Sequence, residues 1–167
     1  MLSHLTKNIA AEISTALTRY TMEIFGGIVF FEEFPIVKFH REAIFTSIWE
    51  ETSNIQALDM LVAILNKKIH ISLYQIMNDL LENIDDDKTR ERVIESVEYM
   101  NKEVAQLLSQ SNVEFYSKDI LSIMGHMVAS TPMFCISYSA KKQRDRQSLL
   151  DIADVYYRKN SYPMLVF

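Results

Sequence analysis

The sequence predicts an all-α fold, a helical bundle with one extended crossing segment, and three observations carry that reading. Hydrophobic residues make up 49% of 167 positions while glycine and proline number three each, a balance that suits packed helices. Apolar residues recur at spacings of three and four in successive segments, the period of one helical face. Between those segments stand residues that start or stop helices: Gly26-Gly27, Thr52-Ser53-Asn54, Ser72, Asp85-Asp86-Asp87 and Ser117.

The first element runs from the N-terminus to Gly26. Leu2, Leu5, Ile9, Ile13, Leu17, Tyr20 and Ile24 lie on one stripe, and glycine ends the helix because it accepts a left-handed backbone. From Ile28 to Phe39 the chain is apolar and aromatic without helical period. Pro35 fixes φ and removes a donor, so an extended, buried crossing is expected between about Ile28 and Ser47. Thr52, Ser53 and Asn54 then offer N-caps to a helix over about Ile55 to Lys67, with Leu58, Leu61, Val62 and Leu65 on its apolar face.

Ser72 with Gln75 forms a capping-box pattern ahead of Leu73, Ile76, Met77, Leu80, Leu81 and Ile84. Asp85-Asp86-Asp87 closes that hairpin and favours the next helix start, where acids complement the dipole; no second ligand cluster makes it a metal loop. A long helix from about Lys88 to Ser109 buries Val93, Val97, Met100, Val104 and Leu107. Ser117 opens another with Ile120, Leu121, Met124 and Val128 inward, which Pro132 either breaks or restarts. His126 falls on or beside that apolar face and reads as a packed core residue. A basic cluster, Lys141, Lys142, Arg144 and Arg146, precedes a last helix through about Tyr157, and the tail from Tyr162 to Phe167 is apolar.

A chain of this length is expected to form one domain with a real core. Its net charge of −5 disfavours general nucleic-acid binding, which needs a positive field. The lone Cys135 forms no internal disulfide and suits a reducing compartment. No uninterrupted apolar run approaches the roughly 20 residues of a membrane span. The N-terminal residues lack a signal peptide's basic-then-apolar layout, so a cytoplasmic location without membrane partners is expected.

The stretch from Glu23 to Gln56 holds the adjacent glycines, the only tryptophan and a glutamate pair before a helix. Gly26, Gly27, Phe30, Glu33, Pro35, Arg41, Glu42, Ala43, Glu50, Thr52, Ile55 and Gln56 stand in register there. This pattern resembles the C-terminal signature of the acyl-CoA dehydrogenase family. Trp49, Leu65-Asn66-Lys67 and Ala129-Ser130-Thr131-Pro132-Met133 are similar to its adaptive-response, alkylation-linked branch. Three departures occur at Glu23 (Gln in the family), Val29 (the third Gly) and Glu51 (the Gly of Glu-Gly-Thr). The resemblance implies residues 1–68 as the signature part and 69–167 as a helical extension. It also implies a chain without the family's N-terminal and β domains.

In such enzymes a carboxylate removes an acyl thioester's α-proton while FAD takes hydride from the β-carbon. By resemblance Glu50 matches that base, Thr52 and Asn54 match flavin contacts, and Gly26 and Gly27 match the turn approaching the cofactor's adenosine diphosphate part in a neighbouring subunit. Glu50 read bottom-up is equally a first-turn acid at a helix N-terminus, and Glu51 beside it would raise its pKa. No metal site, Rossmann fingerprint or P-loop is present in the sequence.

The implied function is an acyl-CoA dehydrogenase-related subunit or remnant, inactive alone, that takes FAD only with a partner chain carrying the missing domains. The alternatives are a catalytically silent helical assembly or regulatory protein and, less supported, a DNA-contacting domain using the basic cluster. Uncovered apolar stripes on Leu5, Ile9, Ile13 and Leu17, or on Leu58, Val62 and Leu65, further predict a homodimer or higher symmetric oligomer.

Overall fold

The computed structural model describes residues 1–49, 51–82 and 84–160. Among them are seven α-helices and no strand: α1 Leu2–Phe25, α2 Pro35–Thr46, α3 Ser53–Lys67, α4 Ile69–Leu81, α5 Asp87–Leu108, α6 Ser117–Ser139 and α7 Gln143–Asn160. The all-α bundle therefore stands. The apolar tail from Tyr162 to Phe167 lies outside the described residues.

The bundle is built around α6, against which α1, α3, α4, α5 and α7 all pack. Ile120, Leu121, Met124, Met127 and Phe134 are almost wholly buried, and Ser117, Gly125, Ser130, Thr131 and Ser137 are buried between them. A helix covered on most of its circumference must be apolar almost all round. For that reason α6, taken with the 3₁₀ turn Val113–Tyr116 before it, is long and apolar enough to cross a membrane by length and composition, although its charged ends interrupt the run. Its composition is accounted for by the five helices around it.

Pro132 neither breaks nor restarts α6, which continues through it. The residue costs the Val128 carbonyl its helical donor, yet neighbours on five sides hold the axis. The Ser130 hydroxyl donates to the Met127 carbonyl (3.3 Å) and Ser137 to that of Phe134 (2.6 Å), so these two buried hydroxyls are satisfied by their own helix.

The segment expected to cross in extended form is instead helical. Gly26–Phe30 forms a 3₁₀ turn, and Pro35 opens α2 at the first-turn position where its missing N–H costs nothing. The residues that α2 turns toward the rest of the chain, Ile36, Val37, His40 and Ala43, with Ser47 after them, form a mixed set that makes no purely apolar stripe. Only Ala43 of α2 is fully buried, while Phe39, Ile44 and Phe45, and Ile48 just after the helix, are exposed. His40 Nδ1 pairs with the Thr18 hydroxyl at 2.8 Å, and Phe25 meets Phe34 edge-on at 5.0 Å, so α1, the turn and α2 form a hairpin.

One other boundary differs from expectation. Ser72 lies inside α4, which begins at Ile69 directly after Lys68; Lys68 takes a left-handed conformation (φ 50°) that ends α3 and turns the chain. The buried period Leu73, Met77, Leu81 extends back to Ile69, and this outweighs the local capping pattern. At α5 the acidic start behaves as read: Asp86 caps it by accepting from the Thr89 N–H at 2.8 Å. Hydrogen bonding from the Thr89 side chain, and then from its N–H, favours the charged form and holds the Asp86 carboxyl below its usual value.

The last helix docks through Ala153 and Tyr157. Arg92 of α5 pairs with Asp154 and lies over the rings of Tyr157 (5.2 Å) and Phe134 (5.9 Å), while the Tyr157 hydroxyl donates to the Arg92 carbonyl at 3.2 Å. His126 is half-buried beside the apolar face of α6. Its Nδ1 faces the Tyr156 hydroxyl at 2.9 Å, and burial pushes its pKa down while pushing that of Tyr156 up. Both shifts favour the neutral pair, which assigns the hydroxyl as donor and Nδ1 as acceptor.

Candidate functional site

The signature residues sit at two places along α1. The first is its C-terminal end. Gly26 has φ 65°, a conformation costly to any residue with a Cβ, and its N–H closes the helix on the Met22 carbonyl. Gly27 follows inside the 3₁₀ turn, and a Cβ built at either glycine meets no atom within 4 Å, so the turn is an open surface of bare backbone. Val29 is different. It is 4% exposed, so its side chain is part of the packing at this turn. Glu23 is paired with Arg19 at 3.2 Å, and that guanidinium offsets the carboxylate near the turn.

The second place is the loop leading into α3. Thr52 is its N-cap in extended conformation (φ −68°, ψ 158°), with an exposed side chain that makes no capping hydrogen bond. Asn54 is exposed in the first turn of the same helix. An N-terminus with free backbone donors, a free hydroxyl and an amide is a favourable contact for oxygen or nitrogen acceptors. Glu50, the candidate base, lies outside the described residues.

Three residues that the sequence reading assigned no role hold this loop. The Lys7 ammonium donates to the Trp49 carbonyl (2.6 Å) and to the Glu51 carbonyl (3.1 Å). Gln56, 2% exposed, donates from Nε2 to that same Glu51 carbonyl at 2.8 Å. His4 Nδ1 lies 3.9 Å from the Glu51 carboxylate, which therefore turns toward α1. Lys7 carried no sequence signal, since a lysine on a helix reads as solvated surface. Gln56 stood in the signature, but only burial shows what it does.

The two places are far apart. Lys7 marks where the loop crosses α1, and Gly26 is nineteen residues further along, about 28 Å at the helical rise. One small ligand cannot touch both within this chain, although an elongated ligand or a second copy could. Among the described residues no group of three or more His, Cys, Asp or Glu side chains is arranged to hold a metal ion. An open groove lined by Asn78, Leu81, Glu82, Arg90, Ile94 and Glu98 lies between α4 and α5, on residues separate from either place.

The basic cluster is smaller than its sequence suggested. Arg146 folds back, donating to the Tyr138 carbonyl (2.9 Å) with its guanidinium 5.5 Å from the Tyr138 ring, which leaves Lys141, Lys142 and Arg144 exposed beside Asp145.

Comparison with known proteins bears on the same question. The chain is 41% identical over 54 residues to the mitochondrial short-chain specific acyl-CoA dehydrogenase of Bos taurus. It is 38% identical over 56 residues to that of Rattus norvegicus and 32% over 54 residues to the short-chain specific acyl-CoA dehydrogenase of Megasphaera elsdenii. These matches cover 32 to 34% of this chain and only 13 to 14% of the relatives' lengths. No family model and no solved structure matches. The chain is thus related to acyl-CoA dehydrogenases over about a third of its length.

Proposed function

We propose that this chain supplies one wall of a flavin site in an acyl-CoA dehydrogenase-like oxidoreductase and works with a partner chain that carries the remaining flavin-binding domains. The observation that carries this reading is the free N-terminus of α3, where the Thr52 hydroxyl and Asn54 amide stand unpaired on a loop fixed by Lys7 and Gln56. Those residues fit the polar edge of a flavin, and the open backbone at Gly26 and Gly27 fits close approach of a diphosphate. FAD, when bound, supplies the electron acceptor. Thr52 and Asn54 orient it by hydrogen bonding, and Glu50 is the candidate to take the α-proton of an acyl thioester. Trp49, Leu65-Asn66-Lys67 and Ala129 to Met133 support the adaptive-response branch as the finer relationship.

A second reading, a catalytically silent helical assembly or regulatory protein, is favoured by the buried Val29 at a position suited to glycine. The visible spectrum separates the two. The purified chain alone should be colourless, and co-expression with a flavin-domain partner should give a yellow complex that reduces a dye with an acyl-CoA. Thr52→Ala with Asn54→Ala should lower flavin occupancy in that complex. Failure of every candidate partner to bring flavin would leave the silent reading.

A further inference from the structure

The stripe that opens on α1 with Leu5 and Ile9 continues through Ile13, Leu17, Tyr20 and Ile24, at the spacings of three and four that keep residues on one face. α6 covers only its start, where Ile9 lies against Gly125. Ile13, Leu17, Tyr20 and Ile24 are 44, 62, 47 and 84% exposed. α2 meets α1 on the face of Thr18 and leaves them open. The last helix ends beside this stripe. Its Tyr156 bonds to His126 of α6, and the Lys159 ammonium lies 5.8 Å from the centre of the Tyr20 ring. The Glu12 carboxylate adds to the burial that pushes Tyr156 up, so Glu12 to Tyr20 on α1 runs in the same sense as Tyr156 to Lys159 on α7. Past Asn160 the chain is therefore directed along α1 toward Ile24 and the glycine turn.

We propose that residues 161–167 cover this stripe within the same chain, as an apolar strap laid over Leu17, Tyr20 and Ile24. Composition is the first argument. The segment carries no charged side chain and five large apolar or aromatic ones, Tyr162, Met164, Leu165, Val166 and Phe167, so it gains from burial what the stripe gains. Pro163 opposes a helical residue before it, which favours departure from the axis of α7. Reach is the second. Seven extended residues span roughly 23–25 Å, whereas Tyr20 to Ile24 is about 6 Å of helix. Tethering is the third, and it decides between this occupant and another chain. A short link holds the segment at an effective concentration in the millimolar range. A second chain at micromolar concentration must also give up its translational and rotational freedom to bind there. Because the strap ends within reach of Gly26, it also competes in cis with any partner that uses the second half of α1.

The test is cross-linking of the full chain by a short bismaleimide at low micromolar concentration, in a Cys135→Ser background. Ile24→Cys/Leu165→Cys is the probe pair. Ile76→Cys/Leu165→Cys is the control, because Ile76 is 49% exposed on α4, which packs on neither α1 nor α7. The expected result is a link inside one chain, read by mass as a single 19.5 kDa chain with one linker, formed about tenfold faster than in the control. Equal rates in the two variants would overturn the inference. So would a link between chains, since a second copy would then supply the cover. A readout without cysteines is amide hydrogen exchange on a chain ending at Asn160, whose helicity circular dichroism checks. Residues 16–24 should exchange faster than in the full chain while α5 is unchanged, and equal exchange on α1 would refute the strap. Neither experiment uses a flavin or a partner chain, so their outcome is separate from that of the flavin reading.

Discussion

Gly125 is where α6 lets α1 approach, and replacing it tests the packing of the bundle directly. A Cβ built there lies 2.7 Å from Ile9 Cγ1 and 3.0 Å from Cδ1. Ile9 is only 7% exposed and its Cγ1 is close to the backbone, so it cannot simply swing away. Overpacking of this kind costs about 1–3 kcal/mol. Against it stands the helix preference for alanine over glycine, about 1 kcal/mol. Gly125→Ala should therefore be destabilising by roughly 0–2 kcal/mol. The sharper measurement is its coupling with Ile9→Ala, which removes both clashing atoms. In urea unfolding followed by circular dichroism, the double variant should recover about 1–2 kcal/mol relative to the sum of the single changes. If Gly125→Ala stabilises by the full helix preference and shows no coupling, α1 does not seat on α6 through Ile9.

Two further outcomes follow from named contacts. Lys7→Ala removes both bonds that hold the Trp49 and Glu51 carbonyls, and should cost about 1–2 kcal/mol; because Trp49 is the only tryptophan, its fluorescence anisotropy should fall while helicity stays constant, and an unchanged anisotropy would mean the loop is held otherwise. Stability should also fall below about pH 6.5, where an unfolded histidine begins to bind a proton that the half-buried His126 and His70 resist, and should be fully present above it. His126→Gln should reduce that slope, leaving the His70 part and the Asp86 contribution, the latter lost only as pH falls below its ordinary value near 3.8.

How far the fold could be read from the sequence depended on which residues carried the period. In α5 Val93, Val97, Met100 and Val104 face inward at helical spacing as read, whereas α3 has the expected bounds but turns Ala57, Met60, Leu61 and Ile64 inward and leaves Leu58, Val62 and Leu65 exposed. In α2 the inward positions are shared by Ile36, Val37, His40 and Ala43 while Phe39, Ile44 and Phe45 are exposed, so no single apolar stripe marked the helix. Pro132 misled for a different reason: local chemistry opposes a helix there, and burial against five neighbours overrides it. Of the site, Gly26 and Thr52 were legible because left-handed backbone and N-caps have strong residue preferences. The Lys7 tether was not, since it joins residues more than forty positions apart and no local pattern encodes it.

The separation of the two signature sites gives the α1–α2 hairpin its meaning. The loop before α3 stays with its own bundle, tied to Lys7, His4 and Gln56. The glycine turn lies about 28 Å away at the far end of α1, carried on a hairpin that contributes almost nothing to the core. A rigid apolar projection that leaves its own core uncovered gains its stabilisation only from contact with another surface. Were two such hairpins to pair, each would bring a bare glycine backbone toward the second copy while Thr52 and Asn54 remained on the first. Substitutions at Gly26 and at Thr52 would then act on a bound ligand through different subunits. Mixed dimers of a Gly26→Val chain and a Thr52→Ala chain should accordingly retain one intact site in two, whereas if both residues served the same chain's ligand, no mixed dimer would keep an intact site.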